Sequence, residues 1–522
     1  MAIALTSKAS NSILQRLFVN LITALALFLA GTSLFDSWVQ PPPQTRLDLI
    51  QTNLSLQAVR TLDNPDYRDL ARTLFGSQDP VDGALKQYRK ATDTLTQRVA
   101  ESRADDRSES ADDLAAETPS PEGAEALQQQ QLALDELNLR TGILLAHQSE
   151  VLDAQTYWRA VASEQLQPCA EVLSGLWDPQ FLRIVPNAEV NLQQHLDGWF
   201  EATALKQLYR LQQRPDAIAE LDREQEQAAI ESLARLSIVS GVPVSFGIIG
   251  FLVLLVWLVG VAMKKWPAVG EAWSVPWPGV AVQAAVSLWF VGFWVTGRLV
   301  PGLYLLAVVG PNFSRATQLQ QAIAILLTYA VGAAIGLALV YWAVSRAENS
   351  AVEAGNGETD ASTGDLLRVR LLDAWPAWGI GGYLSALPLV VVAGLAAQWL
   401  LPNSGGGNPI LPLILESQGW APRVIFLIVV AVFAPIFEET LFRGFVLPSL
   451  AKVMPVWGAI VASAVLFAAV HLNFSDLLPL TVLGIVLGLV YSRSRNLLAP
   501  MLLHSCWNAG TFATLLILGG GA

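Results

Sequence analysis

Charge is scarce in this chain. Of its 522 residues, 15% are Asp, Glu, Lys or Arg, while 53% are apolar. Soluble proteins carry about 25% charged residues, so a wholly soluble protein is excluded and an integral membrane protein with a soluble portion is indicated. Cysteine is nearly absent. Cys169 and Cys506 stand alone, which excludes a disulfide framework and a cysteine-based zinc site. Cys506 lies in an apolar segment and reads as a small core residue. Histidine occurs only at 147, 195, 471 and 504. The net charge of −12, with most acids before residue 240, argues against nucleic-acid binding. Three protease signatures are also missing: GxSxG, HExxH and GxGD.

The residues that are present fall into blocks. Residues 17–35, LFVNLITALALFLAGTSLF, form an apolar run of spanning length, preceded by Lys8 and Arg16 and followed by prolines at 41–43. The run outlasts the apolar core of a signal peptide, so a retained anchor over 1–43 is favoured over a cleaved signal. Either reading leaves the N-terminus in the cytoplasm and exports the polar segment after residue 43. Residues 44–240 are polar and rich in Gln, Leu, Ala and Glu, a composition that favours helices. Gly142, Ala154 and Trp158 follow the spacing of a tetratricopeptide repeat, with a weaker echo at Ala84, Tyr88 and Ala91. The segment is thus either a scaffold that binds a protein partner or an ordinary helical bundle. The acidic, Ser/Pro-bearing stretch 101–125 reads as a disordered insert.

From Val242 the chain becomes a membrane bundle. Spans are expected at about 243–263, 279–308, 320–344, 378–401, 422–446, 455–472, 476–491 and 497–518. The second is expected to be interrupted near Arg298 and Pro301. Two membrane portions result: 241–374, with a loop at 346–375, and 375–522. Lys264, Lys265, Arg346, Arg368, Arg370, Lys452, Arg493 and Arg495 all fall on one side by alternation. By the positive-inside rule that side is cytoplasmic. The expected fold class is all-α: about eight spans after residue 242, an N-terminal anchor and an exported helical domain.

Within the apolar bundle stands APIFEETLFRG, residues 434–444. A charge at mid-membrane costs about 3 kcal/mol on insertion scales. Helical spacing sorts the three charges. Glu439 and Arg443, at i and i+4, share a face and can pair. Glu438 is rotated by about 100° and points elsewhere, which leaves it free to titrate. Pro435 is expected to kink the helix. FAAVH places Phe467 and His471 on one face, and HSCWN does the same for His504 and Asn508. Depths from the cytoplasmic ends agree for Glu438, about 14 Å, and His504, about 12 Å, but His471 comes out too deep at about 24 Å. A single membrane histidine is more often a hydrogen-bonded core residue, and an Arg near a helix end can snorkel. Six such residues on three nearby spans instead indicate a water-accessible polar chamber.

The chemistry this set offers is hydrolysis. A carboxylate in a low-dielectric pocket can act as general base, an imidazole can orient the same water, and a second imidazole with a side-chain amide can donate to an oxyanion. Alternatively, Glu and His side chains hold a Zn²⁺ that activates the water. A non-catalytic membrane scaffold is the competing class. A proton-relay transporter is a third, though no inverted repeat is visible.

EETLFR at 438–443, FAAVH at 467–471 and HSCWN at 504–508 resemble, in order, the EExxxR, FxxxH and HxxxN motifs of the CPBP intramembrane proteases. These are the CAAX prenyl endopeptidases of the Rce1 type together with the bacterial Abi or bacteriocin-processing proteins. The resemblance covers about residues 375–518. It implies an all-α membrane fold with a cavity open to the cytoplasm. It also implies Glu438 and His471 as water activators, His504 and Asn508 as the oxyanion site, and Glu439, Arg443 and Phe467 as support. The family's metallopeptidase description implies Zn²⁺ on Glu438, His471 and His504, beside a metal-free glutamate mechanism that has also been argued. Its substrates are membrane-associated peptides or proteins, and its immunity-type members keep the non-catalytic reading open. With an exported domain, the likeness points to a bacterial, and specifically cyanobacterial, inner or thylakoid membrane.

Overall fold

The computed structural model describes residues 2–39, 44–76, 79–112, 121–266, 269–273, 275–311, 316–353, 368–401, 410–415, 417 and 419–519. Among the described residues every regular element is a helix. The chain divides into two compact units, residues 44–241 and residues 1–43 with 242–522.

The first unit is built from helices of 8 to 33 residues. They are α2 (Gln44–Ala58), α3 (Arg68–Phe75), α4 (Pro80–Asp112), α5 (Pro121–His147), α6 (Val151–Arg159), α7 (Gln167–Leu176), α8 (Ala188–His195) and α9 (Gly198–Leu211). Successive helices pack on one another: α4 on α5, α5 on α6, α7 on α8 and α8 on α9. Gly142 is required at the α5–α6 contact, because a Cβ there would lie 2.2 Å from Trp158 Nε1. The Trp158 indole fills that space and donates to Leu139 O at 3.1 Å. Ala84, Tyr88 and Ala91 are buried, and Tyr88 donates to Asn53 Oδ1 at 2.6 Å. Asp135 is fully buried but satisfied, since it accepts the backbone N–H groups of Ala162 and Ser163. Of the acidic stretch 101–125, residues up to Asp112 extend α4 and those from Pro121 begin α5. Residues 113–120 lie outside the described set.

The helix α10 (Pro215–Ala262) runs without interruption through the boundary between the units, with Pro243 inside it. The membrane unit adds α1 (Ala2–Val39), α11 (Gly279–Val309), α12 (Gln318–Glu353), α13 (Trp375–Leu400), the short α14 (Ile410–Leu415), α15 (Trp420–Leu450), α16 (Val456–Ala469), α17 (Leu477–Ser494) and α18 (Leu498–Gly519). Among the described residues, eight helices are long and apolar enough to cross a membrane: α1, α10, α11, α12, α13, α15, α17 and α18. The protein is an all-α polytopic membrane protein. Arg298 and Pro301 do not interrupt α11.

Two features bear on the site. The span expected to reach residue 472 stops at Ala469, so α16 has 14 residues and a length of about 21 Å. Its end is a turn, with Leu472 in the left-handed region at φ 56°. That places His471 beyond the far end of the helix, so its depth mismatch with Glu438 and His504 stands. Secondly, α1 packs into the bundle. Thr23 Oγ1 lies 2.9 Å from Ser287 Oγ on α11. At the far end of α1, Ser37 Oγ accepts the Phe474 N–H at 3.0 Å and Trp38 stacks on Phe474.

Candidate active site

Pro435 lacks an N–H, so the carbonyl four residues earlier loses its α-helical donor. The helix responds with a π turn at Val429–Phe433, and a second at Thr440–Val446 lies just before Pro448, with an α-helical Ala434–Glu439 between them. Such turns free carbonyls from the regular ladder and recur at functional sites. Asn508 on α18 uses one: its Nδ2 donates to Val430 O at 2.7 Å.

The two carboxylates diverge, as their rotation about the helix requires. Glu439 is fully buried, and its Oε1 accepts from Arg443 Nη1 at 2.9 Å and faces His504 Nδ1 at 2.8 Å. Arg443 is also fully buried, so it does not snorkel. Its Nη2 donates to Gly484 O at 3.1 Å, and its guanidinium lies 4.5 Å from the Phe467 ring centre. That carbonyl is within reach because α17 runs close to α16; a Cβ on Gly484 would lie 2.9 Å from the Ala464 Cα. A buried charge is tolerated when it is paired, and the two charges pair here, although Glu439 Oε2 and Arg443 Nε have no hydrogen-bond partner among the described residues.

Glu438 is placed differently. Its Oε1 accepts the Tyr329 hydroxyl of α12 at 3.0 Å. Its Oε2 has no hydrogen-bond partner among the described residues and lies 3.9 Å from His504 Nε2. His504 therefore stands between both acids. An ionised carboxylate only accepts, so Nδ1 carries the hydrogen toward Glu439. Nε2 is then an acceptor when the ring is neutral and a donor when it is protonated.

His471 is not brought to Glu438 by any described hydrogen bond. It sits exposed past the end of α16, with Nδ1 2.7 Å from Phe467 O. The fully buried Phe467 ring meets both imidazoles edge-on, 4.8 Å from His471 and 5.7 Å from His504. Beside His471, Asp476 is held above the usual carboxylate range by burial, while the nearby imidazole pulls it back. Asp476 Oδ2 accepts from Asn473 Nδ2 at 2.5 Å.

A zinc ion on Glu438, His471 and His504 would need three donors converging on one point. No group of three His, Cys, Asp or Glu side chains among the described residues does so. The residues as placed do not fit a three-ligand site.

Tyr329 is the partner that sequence reasoning missed. Its signal was slight, a hydroxyl-bearing pair, Thr328 and Tyr329, within an apolar span. The Gly484 carbonyl was not readable at all, since it depends on how closely two helices approach.

Fold and site together define a polytopic membrane protein with a buried carboxylate–imidazole–guanidinium centre. Residues 420–510 match the family described as Type II CAAX prenyl endopeptidase Rce1-like. The resemblance carried by EETLFR, FAAVH and HSCWN is borne out over that segment. The chain is 28% identical over 141 residues to the "Putative membrane peptidase YdiL" of Bacillus subtilis (strain 168), covering 27% of this chain and 56% of that protein. It is 34% identical over 102 residues to an "Uncharacterized 24.3 kDa protein" of Escherichia coli, covering 19% and 47%. Over 94 residues it is 33% identical to the "UPF0177 protein YxdF" of Lactococcus lactis subsp. lactis (strain IL1403), covering 18% and 51%. The chain thus spans about half the length of the curated relatives it matches. A comparison with solved structures finds no match. The family match and the peptidase relative support a membrane protease.

Proposed function

We propose that this protein is an intramembrane endopeptidase that hydrolyses a peptide bond of a membrane-associated peptide or protein, with Glu438 as general base. The observation that carries the reading is the free Glu438 Oε2, 3.9 Å from His504 Nε2. A water at ordinary hydrogen-bond distance, about 2.8 Å, can contact both atoms. Glu438 takes one proton from that water as its oxygen attacks the carbonyl carbon. Charge moves to the carbonyl oxygen, the C–N bond breaks, and Glu438 returns the proton to the leaving amine.

The geometry favours His504 over His471 as the imidazole that shares the water. Glu439 and Arg443 hold the ring in place. Asn508 keeps a second amide hydrogen after its bond to Val430 O, and the developing oxyanion takes it. His471, exposed with Nδ1 anchored to Phe467 O, meets the substrate carbonyl at the rim. This route needs no metal. Full cleavage by protein shown metal-free by elemental analysis is its expected result, and activity that returns only with stoichiometric Zn²⁺ would contradict it.

Two sets of contacts bear on the side of entry. Lys452 donates to Val275 O and Trp277 O, and Arg495 donates to Glu271 O, so basic residues gather just before α11 begins. The His471 turn instead meets Ser37 and Trp38, 14 and more residues along α1 from Thr23, or about 21 Å by helical rise. By the positive-inside rule the basic end is cytoplasmic. The His471 turn is therefore proposed to lie near the exported face, while Glu438 and His504, about 14 and 12 Å from the cytoplasmic helix ends, stay nearer the cytoplasm, in keeping with the cytoplasmic opening that the family resemblance implied. Labelling of Ser475→Cys in intact cells by a membrane-impermeant maleimide tests this, with Cys169 and Cys506 replaced by serine. Protection in cells and labelling only in inverted vesicles would reverse the assignment.

The helical unit 44–241 is proposed to recruit a protein partner, and crosslinking from its surface followed by mass spectrometry would identify it. The protease reading itself is tested by cleavage of membrane peptides in proteoliposomes. Glu438→Ala is expected to abolish cleavage; a variant as active as the wild type would refute the reading.

A further inference from the structure

The carboxylate proposed as the base is held from outside the family-matched segment. Tyr329 lies on α12, about ninety residues before residue 420 where the match begins. Its hydroxyl donates to Glu438 Oε1 at 3.0 Å, leaving Oε2 as the oxygen without a partner. We infer that Tyr329 is a positioning residue for the reaction: it fixes which Glu438 oxygen is presented to water and stabilises the carboxylate form. The inference rests on the protease reading above and deepens it.

The contact is set by packing along the whole face. Tyr329, Gly332 and Gly336 recur at i, i+3 and i+7, one stripe of the helix. A Cβ on Gly336 would lie 2.4 Å from Phe437 Cε2, and one on Gly332 would lie 2.4 Å from Phe293 Cδ2. These glycines let α12 approach α11 and α15 closely, in the manner of small-residue membrane interfaces. Phe437 immediately precedes Glu438, so the close approach fixes the local position of the acid relative to the tyrosine. The phenol ring is held in turn. Phe293 meets Tyr329 edge-on at 5.9 Å, Trp289 meets Phe293 at 5.8 Å, and Trp289 meets Phe437 at 5.4 Å. Those rings close a wall of three helices around one hydroxyl and one carboxylate.

Of the charged and titratable groups around Glu438, His504 faces it from α18, while Glu439 and Arg443 belong to its own helix and pair with each other. Tyr329 is the partner from α12. A phenol fixed on Oε1 leaves the base one direction in which to accept a proton, toward His504. Without it, either oxygen can turn to water and the carboxylate loses a hydrogen bond that it makes only when correctly placed.

The experiment compares wild type, Tyr329→Phe, Glu438→Gln and protein carrying 3-fluorotyrosine at position 329, all as full chains in proteoliposomes. Tyr329→Phe is expected to lower kcat by about tenfold, the scale of one hydrogen bond to a charged group, with KM within about twofold and the acid limb of the pH–rate profile moved up by about one unit. The fluorinated phenol, a stronger donor of nearly the same size, is expected to move that limb the opposite way. A Tyr329→Phe protein with wild-type kcat and pH profile, beside an inactive Glu438→Gln, overturns the inference and leaves the protease reading standing. If Glu438→Gln retains wild-type activity, the protease reading itself fails. Should Tyr329→Phe fold poorly, the fluorinated protein decides: an unmoved acid limb overturns the inference.

Discussion

Replacing Arg443 with methionine separates the site's structural charges from its chemical one. Arg443 has no exposed surface, and neither does Glu439. The substitution leaves a buried carboxylate with only His504 beside it, removes the hydrogen bond to Gly484 O and removes the cation from the Phe467 face. Removing one partner of a buried pair costs about 3–5 kcal/mol. The hydrogen bond adds about 1 kcal/mol and the desolvated cation–π contact up to about 2 kcal/mol, but these overlap with the pair and do not simply add. A loss of about 4 kcal/mol is therefore expected from a fold with only about 5–15 kcal/mol to spare. The double variant Glu439→Gln/Arg443→Met removes both charges and is expected to recover at least half of that loss. Glu438→Gln is expected to stay within about 1 kcal/mol of the wild type, because Glu438 has no cationic hydrogen-bond partner to orphan. The assay is unfolding in mixed micelles at rising SDS fraction, followed by ellipticity. Arg443→Met within 1 kcal/mol of wild type would refute the reasoning, as would a double variant no more stable than the single one.

Further outcomes are expected from the same contacts. Ser37→Ala with Trp38→Ala removes the contacts that α1 supplies to the His471 turn, and hydrogen exchange at 470–476 is expected to rise about tenfold, while exchange in α17 stays unchanged. Gly142→Leu drives a side chain into Trp158 and is expected to destabilise the helical unit by several kcal/mol, about the upper range of overpacking, read by thermal unfolding. Burial pushes the Cys169 thiol up to about 12, so iodoacetamide at pH 8 is expected to leave it unmodified until the chain is denatured, as judged by mass spectrometry. Burial also raises Asp476 above the usual carboxylate range. Its contribution to stability is then full below that range and is lost as pH rises through the raised value. Asp476→Asn is accordingly expected to flatten the fall in Tm between pH 4 and pH 7, provided the amide keeps the contact with Asn473.

The sequence was most legible where a contact is local. The Glu439–Arg443 pair follows from helical spacing alone, and it forms at 2.9 Å within one broken helix. The divergence of Glu438 from Glu439 follows from the same rotation, and Pro435 announced a disturbance there. The disturbance takes the form of two π turns, because neighbouring helices and Asn508 satisfy the displaced carbonyls. The end of α16 was harder to read. No glycine or proline follows FAAVH, and Leu472 adopts the left-handed turn that glycine usually marks. That single feature put His471 beyond the end of the helix. Contacts between distant segments, such as Tyr329 with Glu438 and Ser37 with Phe474, depend on packing between spans, and no periodicity encodes them. His504 illustrates the limit: its depth was readable, but its place between two carboxylates was not.

The central claim is that Glu438 Oε2 removes a proton from water during amide hydrolysis. It is tested most directly by presenting a library of membrane-embedded peptides to purified protein in proteoliposomes and sequencing the products by mass spectrometry in H₂¹⁸O. Wild type is expected to cleave, with one ¹⁸O in each new carboxyl terminus, and Glu438→Gln of unchanged fold to cleave at least about a thousandfold less, on the order of a lost general base. Equal cleavage by Glu438→Gln would contradict it.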